Sequence, residues 1–65
     1  MKITLNGVEH EITASSLIEA LLELGYCTGP IATAVNGEFI PKTQRPGIVL
    51  SEGDRIEVVA PMQGG

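Results

Sequence analysis

Apolar and polar residues alternate from the start of the chain. Ile3 and Leu5 interleave with Lys2 and Thr4, the period of a strand with one buried face. Asn6-Gly7 follows, a pair that tolerates positive φ and therefore predicts a two-residue hairpin turn. Alternation then resumes in a second strand, with Val8, His10 and Ile12 on one face and Glu9 and Glu11 on the other. The period changes after that. Ser16 and Glu19 have capping-box spacing, and Leu17, Ile18, Leu21, Leu22 and Leu24 recur at helical intervals, predicting one helix that runs to about Leu24. Gly25 stands where helices commonly end in the left-handed conformation, and Glu19 and Glu23 read as its solvated face.

After a loop from Tyr26 to Pro30, the apolar run 31–35 predicts a strand and Asn36-Gly37 a second turn. Residues 38–40 form a short strand, limited by Pro41, which cannot donate to a sheet ladder. Residues 42–47 read as loop, Ile48-Val49-Leu50 as a further apolar stretch, and Glu52-Gly53-Asp54 as turn chemistry. In the last strand, 55–60, Ile56, Val58 and Ala60 share a face and Val59 takes the other. The predicted order is β-β-α-β-β-β, with the final strand beside the first. This is an α+β domain: one helix packs on a mixed sheet of four to five strands, and the opposite face stays available to partners. The domain spans residues 1–60, and residues 61–65 form a flexible C-terminal tail.

A chain of 65 residues hides only about 60% of the surface its unfolded form exposes. Domains this small often carry a disulfide or a metal staple. Here Cys27 is the only cysteine and His10 the only histidine, so packing alone must hold the fold. With 43% hydrophobic residues there is material for a core, and no stretch approaches the roughly 20 apolar residues of a membrane span. The opening segment reaches Asn6-Gly7 before an apolar signal segment develops, and the expectation is therefore a cytoplasmic domain. The net charge is −4, and Lys2, Lys42, Arg45 and Arg55 are scattered, against the clustered positive surface that nucleic acid requires.

The chain offers little catalytic chemistry. It has no glycine-rich phosphate loop, no paired metal ligands, and no serine or cysteine with a partner base. Cys27 reads as a small hydrophobe or incidental loop residue, His10 as structural, and Glu52 and Asp54 as turn formers. The tail stands apart. Glycine makes up about 7% of residues on average, so two glycines at the last two positions arise by chance in roughly 0.5% of chains. Gly64 and Gly65 lack a β-carbon and make the thinnest thread for entering an enclosed partner site. A terminal carboxylate is ionised at neutral pH and is a poor electrophile until an enzyme converts it to an anhydride with a nucleotide. From Pro61 to Gly65 the extended chain reaches at most about 17 Å.

These residues resemble the ThiS family, the sulfur-carrier protein of thiamine biosynthesis, over nearly the whole chain. The resemblance lies in the opening strand with Asn6-Gly7, in Val35-Asn36-Gly37-Glu38-Phe39-Ile40-Pro41-Lys42, in Leu50-Ser51-Glu52-Gly53-Asp54-Arg55-Ile56-Glu57-Val58-Val59, and in terminal Gly64-Gly65. It implies a ubiquitin-like β-grasp fold and a carrier that is not itself an enzyme. It also implies that the Gly65 carboxylate, with Gly64 beside it, is adenylated with ATP by a ThiF-like enzyme. The resulting thiocarboxylate then donates sulfur to a ThiG-like thiazole synthase. Sulfur would come from a donor such as a cysteine desulfurase, and no cofactor would be bound to the carrier. Pro61, Met62, Gln63, Phe39 and Val59 are the candidate partner contacts.

The chain departs from the family pattern in two places. Lys42 stands where arginine commonly follows the proline, with Thr43-Gln44-Arg45-Pro46 after it, and Pro61 precedes the glycines. The second feature also resembles the small subunit of molybdopterin synthase, which uses the same thiocarboxylate chemistry. A ubiquitin-like modifier joined to lysines through Gly65, or a plain binding module, is the reading of another class.

Overall fold

Two asparagine-glycine turns organise the sheet. Asn6 and Asn36 have φ of 50° and 52°, and Gly7 and Gly37 both have 84°, so both central residues of each turn are left-handed, as a tight hairpin matching the strand twist requires. The computed structural model describes residues 1–26 and 30–60. In chain order these form β1 (Lys2–Leu5), β2 (Val8–Glu11), α1 (Leu17–Glu23), β3 (Ala32–Val35), β4 (Glu38–Ile40), a 3₁₀ helix (Lys42–Gly47) and β5 (Arg55–Val59).

The sheet order is β2-β1-β5-β3-β4. Its last strand in sequence is therefore its middle strand in space, parallel to β1 and antiparallel to β3. That is the predicted architecture of a mixed sheet with the final strand beside the first. Helix α1 starts at Ser16, whose hydroxyl oxygen accepts from the Glu19 backbone N–H at 3.3 Å and donates to the Glu19 carboxylate at 3.2 Å. It ends before Gly25, at φ 95°.

The core lies between α1 and one sheet face, where Ile3, Leu5, Ile40, Ile56 and Val58 meet Leu17, Ala20 and Leu21, joined by Ile12 and Leu50. Some sequence assignments need correction. Leu22 was placed in the apolar stripe but is exposed, and Ala20 takes the inward position, because a short helix over a narrow sheet buries only one stripe. β2 stops at Glu11, yet Ile12 is buried beyond its end; Val8 shares its face but is exposed, because β2 is an edge strand at the margin of the core. β5 stops at Val59, leaving Ala60 exposed rather than on the inner face.

Residues 42–47 are a 3₁₀ helix rather than a loop. Arg45, within it, is buried: its Nε donates to Thr33 Oγ1 at 3.1 Å and its Nη2 to the Ile31 carbonyl at 2.6 Å, while Thr33 Oγ1 donates to the Ile40 carbonyl at 3.0 Å. A buried guanidinium must have its donors satisfied, and here neutral oxygens of β3 and its approach anchor the turn. The Ile48-Val49-Leu50 stretch straps the start of α1, with Leu17 N–H donating to the Ile48 carbonyl and Leu50 N–H to the Ser15 carbonyl, each at 2.9 Å.

Candidate functional site

The sheet face away from α1 carries exposed apolar surface at the end of β5. Along β5 the side chains alternate, with Ile56 and Val58 buried and Arg55, Glu57 and Val59 outside. Strand pairing then assembles a patch from three strands. Val59 lies opposite Ala32, Glu57 opposite Ala34, and Ala34 opposite Phe39. Phe39 is 63% exposed and Val59 65%. Between these two larger side chains, Ala32 and Ala34 make the floor of a shallow groove that Glu57 borders. The arrangement suits an apolar partner side chain seated on the alanines, with one carboxylate at the rim to fix orientation. It contains no nucleophile and base pair.

Phe39 and Val59, both candidate partner contacts from the sequence, are thus both exposed and in one groove. Val8, Leu22 and Val49 are exposed too, but they belong to β2, α1 and the 48–50 strap. Ala32 and Ala34 were not singled out in the sequence. Their signal was available in alternation with inward Thr33 and Val35, which sends two small residues to the outer face. Pro61, Met62, Gln63, Gly64 and Gly65 lie outside the described residues, as does Cys27.

Several charged groups elsewhere serve the scaffold. Asp54 Oδ2 accepts the Ser51 N–H at 2.8 Å within its turn, as its spacing predicts, whereas the Glu52 side chain reaches outside the turn and accepts the Lys2 N–H at 3.1 Å. Glu23 does more than sit on a solvated face. Its carboxylate accepts from the Thr13 N–H at 3.0 Å, the Thr13 hydroxyl at 3.0 Å and the Ala14 N–H at 3.1 Å. The Thr13 backbone bond above all holds its pKa below the ordinary value; desolvation opposes it, and the Thr13 hydroxyl, the Ala14 N–H and the chain's amino group each lower it by less. His10 is half-buried opposite Ile3. Among the described residues no three histidine, cysteine or carboxylate side chains gather as a metal site, and no helix is long and apolar enough to cross a membrane.

A five-stranded mixed sheet that grasps one helix, with the last strand central, is the ubiquitin-like β-grasp fold. The crystal structure of the thiamine biosynthesis protein ThiS from Geobacter metallireducens superposes with a TM-score of 0.83, covering all of both chains at 23% identity. Its solution structure gives 0.79, covering all of this chain and 88% of that one. Sequence similarity goes beyond the fold. The ThiS family model matches residues 3–65. The sulfur carrier protein ThiS of Thermus thermophilus is 36% identical over 63 residues, which is 97% of this chain and 98% of that protein. The chain belongs to the ThiS family. Two thiazole synthases are also similar, from Paramagnetospirillum magneticum at 39% and Magnetococcus marinus at 38% identity, each over the whole of this chain. This chain spans about one fifth of their length, at 20% in both cases.

Proposed function

We propose that this chain is a sulfur carrier of thiamine biosynthesis that works through the carboxylate of Gly65. The observation that carries the reading is the family match through residue 65, together with whole-length similarity to a curated sulfur carrier. In the proposed cycle a ThiF-like enzyme binds ATP, and a Gly65 carboxylate oxygen attacks the α-phosphorus. Pyrophosphate leaves and an acyl adenylate forms. A sulfur nucleophile then attacks the acyl carbon and displaces AMP: sulfide gives the thiocarboxylate directly, whereas the persulfide of a donor such as a cysteine desulfurase gives an acyl disulfide, whose S–S bond a thiol reductant cleaves to release the thiocarboxylate and the donor's thiol. The thiocarboxylate is consumed by thiazole synthase. Support for that acceptor comes from the two thiazole synthases that contain a segment similar to this chain within their own polypeptide.

The body contributes recognition and the tail contributes reach. Val59 lies on the open face just before residues 60–65, so a partner seated on the Phe39–Val59 groove is placed next to the start of the tail. Gly64 and Gly65 then thread its site with no side chain to obstruct passage. Pro61, Met62 and Gln63 span the distance between. The match to ThiS favours thiamine over molybdopterin as the destination of the sulfur.

Intact-mass analysis of protein made in a host with a working pathway tests this. Exchange of one oxygen for sulfur, localised to Gly65, is the expected result. A terminus that stays a carboxylate in the presence of ATP, activating enzyme and sulfur source overturns it, and adducts at the mass of other proteins point to a modifier instead. Supplying the gene to strains deficient in thiamine or molybdopterin synthesis assigns the pathway, with rescue of the thiamine strain expected.

A further inference from the structure

The two turn asparagines do more than accommodate left-handed backbone. β1 reaches β5 through the Thr4 N–H, which donates to the Asp54 carbonyl at 3.0 Å, and the Asn6 N–H, which donates to the Ile56 carbonyl at 2.9 Å. The next group along β5 is Val58, but by then the first chain has turned away at Asn6-Gly7. Asn6 continues the ladder with its side chain. Its Oδ1 accepts the Val58 N–H at 2.9 Å and its Nδ2 donates to the Val58 carbonyl at 3.1 Å. A carboxamide carries the same donor and acceptor as a peptide unit, so it replaces the missing rung.

Asn36 does the counterpart at the opposite end of β5. Its backbone N–H donates to the Arg55 carbonyl at 2.7 Å, its Oδ1 accepts the Arg55 N–H at 2.9 Å, and its Nδ2 donates to Asp54 Oδ1 at 3.0 Å. The central strand is thus latched at its entry by one hairpin turn and at its exit by the other. Only the Asn6 latch acts where the chain leaves the sheet for residues 60–65. On its other side, Val59 is paired with Ala32 of β3, so removing Asn6 would leave the exit held from one side instead of two.

We propose that Asn6 is a positioning residue for sulfur loading. Its carboxamide fixes the exit of β5 at Val58 and thereby the course of the chain where it leaves the sheet after Val59. This rests on the carrier reading above. Chemistry at a terminus threaded into a partner is sensitive to displacements of about an ångström, whereas docking through Phe39 and Val59 depends on the β3 side of the strand, which Asn6 does not touch.

The test compares Asn6→Gly with Asn36→Gly, because glycine keeps the left-handed turn in both and each variant loses its side-chain hydrogen bonds at one end of β5. Amide exchange is followed together with thiocarboxylate formation by purified ThiF-like enzyme, ATP and a sulfur donor. In Asn6→Gly we expect the Val58 amide to exchange at least about tenfold faster while Ile3 and Leu21 keep their protection, as local opening requires. We expect kcat for loading to fall about fivefold with KM little changed. Asn36→Gly should leave loading at the wild-type rate. Asn6→Asp, which keeps the acceptor for the Val58 N–H but not the donor, should lie between wild type and Asn6→Gly.

Equal loading by Asn6→Gly and wild type overturns the proposal. So does an equal loss in both glycine variants, which would reveal general destabilisation, or unchanged exchange at Val58, which would mean no latch. Wild-type protein that is not loaded at all sinks the carrier reading instead, while the exchange comparison still decides whether Asn6 latches the strand.

Discussion

The two faces of the sheet are built from the same strands and do opposite things. Inward, Ile3, Leu5, Ile56 and Val58 close on Leu17, Ala20 and Leu21 with almost no exposed surface. Outward, Phe39 and Val59 stand in solvent over two alanines. Val58 and Val59 make the contrast within two adjacent residues, at 7% and 65% exposure. A domain this small, with one cysteine and one histidine in its chain, commits one whole face to stability. In the function proposed above the other face and the chain's end serve partners, and on that reading function can be altered without unfolding the body.

The sharpest way to break that division is at the end of the chain. Deleting Gly65 should abolish thiocarboxylate formation while leaving circular dichroism and Tm as in the intact protein. A loss of fold on deletion would show that the tail belongs to the body. The next largest effect belongs to the inner face. Ile56→Ala, at a residue 1% exposed, should cost about 2–5 kcal/mol by urea unfolding, a large part of the 5–15 kcal/mol that typically holds a domain. Three residues on, Val59→Ala should fall within about 0.5 kcal/mol. Similar losses at the two sites would erase the distinction between the faces.

Much of this arrangement was legible because local signals agreed with one another. Period-two alternation gave the strands, Asn-Gly the turns and Ser16 with Glu19 the start of the helix, each a matter of backbone sterics or a short-range hydrogen bond. Long-range polar contacts were less legible. Arg45 looks like a surface charge in a proline- and glycine-flanked segment, and only tertiary structure reveals that Thr33 and the Ile31 carbonyl receive its donors. The same holds for Glu23, whose partners are Thr13 and Ala14 on the approach to the helix, and for Asn6, whose side chain meets Val58 more than fifty residues away, at a separation of 52. For the candidate site, the parity of β5 placed Val59 outward, but assigning Phe39 to the same groove needed the register of β3 with β4.

The outer face is tested by truncating Phe39. Phe39→Ala removes the largest exposed ring of the groove, and anchors of this kind contribute enough that KM for the carrier in adenylation should rise about tenfold. Stability should move little, because the ring packs on alanines at the surface rather than in the core. A fall in kcat with unchanged KM would assign Phe39 to the reacting geometry instead of docking, and would place the partner elsewhere on the domain.

The smallest effect is expected at the edge of the inner face, where Glu23 ties the β2–α1 connection to the helix. Its pKa is lowered in the folded protein from the ordinary value of 4.5, first by the Thr13 N–H and then by the Thr13 hydroxyl and Ala14 N–H. The folded state therefore binds this proton less readily than the unfolded chain does, and the carboxylate's contribution is fully present above the unfolded value and is lost as pH falls through the lowered one. Glu23→Gln keeps the shape but loses the charge and one acceptor oxygen. Its Tm should lie slightly below wild type at pH 7, and the gap should narrow as the pH is taken below 4.5. A gap that stays constant across that range would mean the side chain's packing, and not its ionised acceptors, secures the loop. Loading kinetics of Glu23→Gln at pH 7 should match wild type, since the connection it fastens lies on the helix side of the sheet, away from the groove that Phe39 and Val59 line.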